Sequence, residues 1–238
     1  MKTLFTIVCI VIAFISFSQE QINPSKIYAP DLSKETQNEI DRQYELMDRW
    51  DSLSSDEKSE LDTLLLKYGE VVESVWDIID GGCSWYCGGG NYEIKSSSSL
   101  TESGHLKYSA KSANDLNYKT AWVEGMDGDG IGEYLEYYFK NKSPRITSII
   151  ITNGYVKSES TWVNNNRVKK LKMYVNDKPY KILNLEDSRT DQVFEVDTLG
   201  RIDSIDMVLK FEILEIYKGL KFDDTAITEI YFDGIDVH

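Results

Sequence analysis

Val168–Leu185 reads VKKLKMYVNDKPYKILNL. Leu171, Met173 and Val175 alternate with Lys170, Lys172 and Tyr174, the period of two that sends successive side chains to opposite faces of a strand. Asn176-Asp177-Lys178-Pro179 is turn chemistry, and Tyr180–Leu185 returns as the hairpin partner. The pattern extends outward in both directions. Toward the N-terminus lie the β-branched run ITSIIIT at Ile146–Thr152, the aromatic-rich Tyr134–Phe139, and Tyr92–Lys95. Toward the C-terminus lie Gln192–Val196, Met207–Tyr217 and Ala226–Phe232. About eight short strands separated by turn signals, with no long helical pattern, predict an antiparallel β-sandwich or jelly roll over residues 92–238.

The upstream chain has a different character. Of the 238 residues 40 are acidic and 26 basic, a net charge of -14. Asp31–Asp80 holds 15 acidic residues against 5 basic ones, most of that excess. So acidic a chain lacks the basic face that nucleic acid requires. Residues 32–52 have few helix breakers. Ser54-x-x-Glu57 is a capping box, and Leu61, Leu64, Leu65, Tyr68, Val72, Val75 and Trp76 follow in steps of three and four. Residues 19–80 therefore read as an acidic helical hairpin arm, a surface that a protein partner can recognise.

Residues 81–91 read as a glycine-rich linker around Cys83 and Cys87. Two cysteines in an exported chain predict a disulfide, which in so short a loop stabilises by about 2 kcal/mol. A zinc site is the alternative, with too few ligands nearby to favour it. Trp85 and Tyr86 either pin this loop to the neighbouring domain or face a ligand. Export is itself an expectation. Lys2, the apolar run Leu4–Phe17, and Ser16 and Ser18 before a polar start predict a signal peptide over residues 1–18. The run is short for a bilayer span, so the mature protein is expected in the periplasm or medium, without a membrane span.

Catalytic motifs are sparse. Only His105 and His238 are histidines, there is no G-x-S-x-G, and no carboxylate pair stands out from a solvated surface. GMDGDGIGE at Gly125–Glu133 leads into a strand, so it is neither a dinucleotide loop nor a complete EF-hand, and reads as an exposed glycine loop. The connection Asn153–Arg167 is more informative, because it carries Tyr155, Lys157, Trp162, Asn166 and Arg167 between two strongly patterned strands. Aromatic faces stack on sugar rings, and amides and cations bond hydroxyls. The competing reading is an Ω-loop whose Trp162 plugs the end of the sandwich.

Four ordered strings carry a family resemblance: ANDLNYKTAWVEG (Ala113–Gly125), GDGIGEYLEYYF (Gly128–Phe139), NGYVKS (Asn153–Ser158) and NNRVKKLKMYVNDKP (Asn165–Pro179). Together with the closing LKFEILEIYKGLKFDDTAITEIYFDG they resemble the NADase-type glycan-binding domain. This bacterial module is similar to the translocation domain of a secreted NAD glycohydrolase toxin and, more distantly, to discoidin and galactose-binding-like domains. The resemblance covers roughly residues 90–236. It implies a jelly roll that binds a glycan or glycoconjugate and does not catalyse. A secreted hydrolase acting on glycans or NAD, and a protein–protein interaction module, are the alternatives. By the resemblance Asp115, Asn117, Thr120 and Glu229 would hold a structural calcium ion, with Leu116 where the family has a turn glycine. Tyr155, Lys157, Trp162, Asn166 and Arg167, with Trp122 and Glu124 on the adjoining loop, are the expected ligand contacts.

Overall fold

The computed structural model describes residues 19–79, 84–104, 106–201 and 205–236. The signal peptide at residues 1–18, Cys83 and with it the Cys83–Cys87 disulfide, His105 and His238 lie outside the described residues. Two short strands, β1 (Glu20–Ile22) and β2 (Lys26–Tyr28), precede helices α1 (Lys34–Asp48), α2 (Ser55–Tyr68) and α3 (Tyr86–Gly89). Strands β3 (Glu93–Ser96), β4 (Trp122–Val123), β5 (Tyr134–Phe139) and β6 (Arg145–Asn153) follow, then helix α4 (Glu159–Asn164). The chain closes with β7 (Asn166–Val175), β8 (Lys178–Asn184), β9 (Asp191–Leu199), β10 (Met207–Tyr217) and β11 (Thr225–Ile235).

The strands form two layers. One runs β2-β9-β6-β11, with β4 beside β11; the other runs β8-β7-β10-β5-β3, with β1 beside β8. A short parallel pairing of Thr225 and Ala226 with Asn166 and Arg167 joins them. Inward-facing Leu209, Phe211 and Ile213 of β10, and Leu135, Tyr137 and Phe139 of β5, pack into one core with Ile149, Phe194, Ile230 and Phe232 of the facing layer. The predicted jelly roll and its hairpin are as expected. Asn176 and Asp177 adopt φ of 48° and 62° at the tip, the positive-φ geometry whose twist matches paired strands.

Three boundaries differ from the sequence reading. Residues 20–28 pair with the sandwich, β1 parallel to β8 and β2 antiparallel to β9, where a helical region starting at 19 was predicted. Strands of three residues are too short to display a period. Helix α2 ends at Tyr68 and does not reach Trp76. Gly69 caps it at φ 77° by donating its N–H to the Leu65 carbonyl. Residues 84–91 are part of the domain rather than a linker. The Trp85 side chain is 2% exposed, meets Phe139 and Phe232 edge-on or tilted, and donates to the Arg145 carbonyl at 3.2 Å. Gly89 is required there, since a Cβ would sit 2.4 Å from the Trp85 ring. Trp85 is thus a pin.

The arm has its own small core of Leu46, Leu53, Leu61 and Leu64, and the Ser54–Glu57 capping box forms as predicted. Among the described residues no helix is long and apolar enough to cross a membrane.

Candidate functional site

The connection from β6 to β7 is rigid and largely self-satisfied. Ser158 caps α4 in a box with Thr161. Trp162 is half-buried, donates to the Asn153 carbonyl at 3.1 Å, and lies under the Arg167 guanidinium at 4.7 Å. Gly154, at φ 78°, is pressed against both, so a Cβ would come within 2.5 Å of Arg167 and 2.9 Å of Trp162. Arg167 is 7% exposed; it forks onto Asp187 with two bonds of 3.0 Å and also donates to the Asn165 and Lys218 carbonyls. Asn166 is fully buried, donating to the Asp223 carbonyl at 2.5 Å and accepting from Gly219 at 2.8 Å. These geometries correct the reading of Arg167 and Asn166 as ligand donors: their donors already lock the loop against the β10–β11 connection. Trp162 is likewise closer to a plug than to an open platform.

Trp122 and Glu124 are also interior. The Trp122 indole donates to the Ser98 carbonyl at 2.9 Å. The Glu124 carboxylate accepts from the Met126 and Thr225 amides at 2.8 and 3.1 Å, and burial raises its pKa. A Cβ on Gly130 would strike Glu124 at 2.5 Å, so the glycine loop is clamped over this carboxylate. Neither residue is presented to a ligand.

Tyr155 and Lys157 differ from the rest of the predicted set. Both line a cavity of about 510 Å³ whose walls include Tyr108, Phe222, Leu100, Leu106 and Trp76. The Tyr155 hydroxyl is anchored on the Lys119 carbonyl at 3.2 Å, and its ring is 7% exposed and packed with Ala121, Val123 and Ala226, which corrects its reading as an open stacking surface: it backs the wall. Phe222 and Leu106 are each 41% exposed, large apolar surface around a concave site. Lys119 and Lys157 stand at the lining with Asp224. Sequence reasoning missed Leu106, Tyr108 and Phe222, because two connections far apart in the chain, β3–β4 and β10–β11, bring them together.

A second feature lies next to this cavity. Thr120 Oγ1 is 2.7 and 2.8 Å from the two Asp115 carboxylate oxygens, and 3.5 and 3.3 Å from the carbonyls of Ser112 and Asn117. Glu229 is completely buried. Its Oε1 accepts from the Asn117 amide at 3.2 Å, while its Oε2 has no hydrogen-bond partner. Burial, and then the charge of Asp115, push the Glu229 carboxyl well above its ordinary range. Three of the predicted metal ligands, Asp115, Thr120 and Glu229, thus converge. Asn117 contributes its backbone, while its side chain turns to the Lys119 amide and Asp77. A knot of hard oxygens with one orphaned buried carboxylate oxygen fits a calcium ion, which takes six to eight such donors.

A model of the family described as NAD glycohydrolase translocation F5/8 type C domain matches residues 85–233. The chain belongs to this family. The matched segment starts at the Trp85 pin and ends within β11, so the F5/8 type C domain excludes the helical arm and the two N-terminal strands. No curated protein matches the chain. Among solved structures, CpGH89CBM32-5 from Clostridium perfringens, in complex with GalNAc-β-1,3-galactose, is 14% identical, with 64% of this chain and 100% of that one covered and a TM-score of 0.44. A putative chitobiase fragment from Bacteroides thetaiotaomicron is 13% identical over 62% and 90%, at a TM-score of 0.45. The CBM32-1 and CBM32-2 domains of Clostridium perfringens ZmpB, in complex with GalNAc, are 12% identical over 85% and 51%, at 0.43.

Proposed function

We propose that the protein is an exported, non-catalytic glycan-binding module whose ligand enters the cavity beside Tyr155. The observation that carries this reading is the cavity: aromatic and apolar walls with a few polar groups on the lining are the chemistry of a small-ligand site. Tyr108 and Phe222 provide faces for the apolar side of a sugar ring, with Tyr155 backing the wall. Lys157 and Lys119 donate to its hydroxyls, and Asp224 accepts from them. Among the described lining residues Asp224 is the one carboxylate, whereas glycoside hydrolysis in its common form uses two flanking carboxyls. This favours binding over turnover.

Calcium belongs to the same proposal as a structural ion. The Asp115 and Glu229 carboxylates would hold it, helped by Thr120 Oγ1 and the carbonyl oxygens of Ser112 and Asn117. When bound there, the ion would supply charge to offset the two facing carboxylates, of which Asp115 sits on the loop whose Lys119 carbonyl anchors Tyr155. A glycan-array screen of the protein tests the function, with Tyr108→Ala and Phe222→Ala beside it. Binding to a defined set of glycans, lost in both variants, is the expected result. Turnover of NAD or of a glycoside, lost on Asp224→Asn, would replace binding by catalysis.

A further inference from the structure

The cavity has one wall that the F5/8 type C domain does not own. Trp76 lines it and lies nine positions before the matched segment begins at residue 85. It belongs to the strap that runs from the arm back to the sandwich. The strap is fixed in register on the oxygen-rich loop: Tyr118 donates its amide to the Trp76 carbonyl at 2.9 Å, and Ile78 donates to the Leu116 carbonyl at 3.0 Å. Asp77 and Asn117 form the bridge between those two bonds. The next residue on the loop, Lys119, holds its ammonium 5.1 Å from the centre of the Trp76 ring. The arm and the loop therefore jointly place an indole and a cation on the cavity wall.

Two lysines and one carboxylate stand among the residues that line this wall, in a chain that is strongly acidic. In a chain of net charge -14, many lysines pair with carboxylates, as Lys67 does with Glu39 and Lys170 with Glu215. Lys119 and Lys157 make no ion pair within 4 Å among the described residues, although Asp77 lies within charge reach of Lys119, and both line the cavity that Trp76 completes. Two ammonium groups against one lining carboxylate, beside aromatic walls, match a ligand that combines an anion with apolar surface. An acidic sugar has both, its carboxylate and the apolar face of its ring, and its hydroxyls meet the Asp224 acceptor.

The geometry points to the arm as a working part of the binding site: Trp76 and Lys119 make the cavity selective for carboxylate-bearing saccharides over neutral ones. This inference rests on the glycan-binding reading above. The test uses the full chain and titration calorimetry with N-acetylneuraminic acid and N-acetylgalactosamine as probes. The wild-type protein is expected to bind the acidic sugar about tenfold tighter. Lys119→Gln should weaken the acidic sugar roughly fivefold and the neutral one distinctly less, since glutamine still donates to hydroxyls but carries no charge. Trp76→Ala should weaken both. Should loss of the indole loosen the strap, Lys119→Gln still decides. Equal or tighter binding of the neutral sugar would overturn the inference, as would a wild-type protein that binds with both variants indistinguishable from it. A wild-type protein that binds neither probe would overturn the inference and count against the glycan-binding reading as well.

Discussion

Two polar connections touch at one end of the sandwich, Asn153–Arg167 and Asp115–Thr120, and their hydrogen-bond accounts close differently. In the first, Arg167, Asn166 and the Trp162 indole all donate to protein acceptors. In the second, Glu229 keeps a buried oxygen without a partner while facing a second carboxylate. Both stretches look equally suited to a ligand when only residue types are counted. The difference teaches that residual hydrogen-bonding capacity, not polarity, separates a site from a clasp.

The largest effect expected from this contrast is on the clasp. Trp162→Ala removes a half-buried ring that Arg167 and Gly154 pack against, and should lower stability by about 3 kcal/mol, the low end for an aromatic truncation. Urea unfolding measures it. An unchanged midpoint would return Trp162 to the status of a free stacking platform and erase the contrast.

Calcium tests the other side. An ion bound only to the folded protein raises stability by about 2.7 kcal/mol at one hundred times its dissociation constant. Melting in calcium against chelator should show that rise, and Glu229→Gln should abolish it. The sign in chelator is distinctive. Because the fold disfavours the ionised Glu229 carboxyl, a neutral glutamine should make the ion-free protein more stable at neutral pH, not less. A melting temperature indifferent to calcium and chelator alike would retire the ion.

Arg167→Lys sharpens the comparison at smaller cost. Lysine keeps the charge and loses the fork that reaches Asp187 and two carbonyls at once. Asp187 is partly exposed, so solvent screens the loss, and about 1–2 kcal/mol is expected from thermal unfolding. Glycan binding should survive, since Arg167 does not line the cavity.

What could be read from the sequence follows the range of the interactions involved. Alternation in β7 and β10 and the Ser54–Glu57 box are encoded within a few residues, and each forms where its pattern lies. The Asp115, Thr120 and Glu229 grouping was reachable only through family resemblance, because Glu229 comes from β11, more than a hundred residues away. Strands β1 and β2 carry no period, since their partners β8 and β9 supply the pattern. Trp85 is ambiguous in sequence because glycines surround it, and at Gly89 the missing Cβ admits its ring. The saturation of Arg167 was invisible because Asp187 and Lys218 lie 20 and 51 positions away. Trp76 looked like the last turn of a helix stripe, and only the Gly69 cap releases it to cross the sandwich as a strap.

The smallest effect concerns Leu116, at the centre of the oxygen-rich loop, where the family's turn glycine is replaced. Leu116 has φ 60°, a left-handed conformation that costs a side-chain-bearing residue about 1–2 kcal/mol. Its side chain recovers part of this by packing beside Ile150, Val193 and Tyr231, and its carbonyl accepts from the strap. Substitution by alanine removes the packing and keeps the strain. Substitution by glycine removes both, and its freer unfolded chain offsets only part of the relief. Leu116→Gly should therefore lower stability by less than about 1 kcal/mol, and Leu116→Ala by more, although alanine is the larger residue. The order of the two unfolding midpoints is the measurement. Alanine above glycine would mean that the loop relaxes out of the left-handed conformation, and that the strap does not hold Leu116 in the geometry that gathers Asp115 and Thr120 beside Glu229.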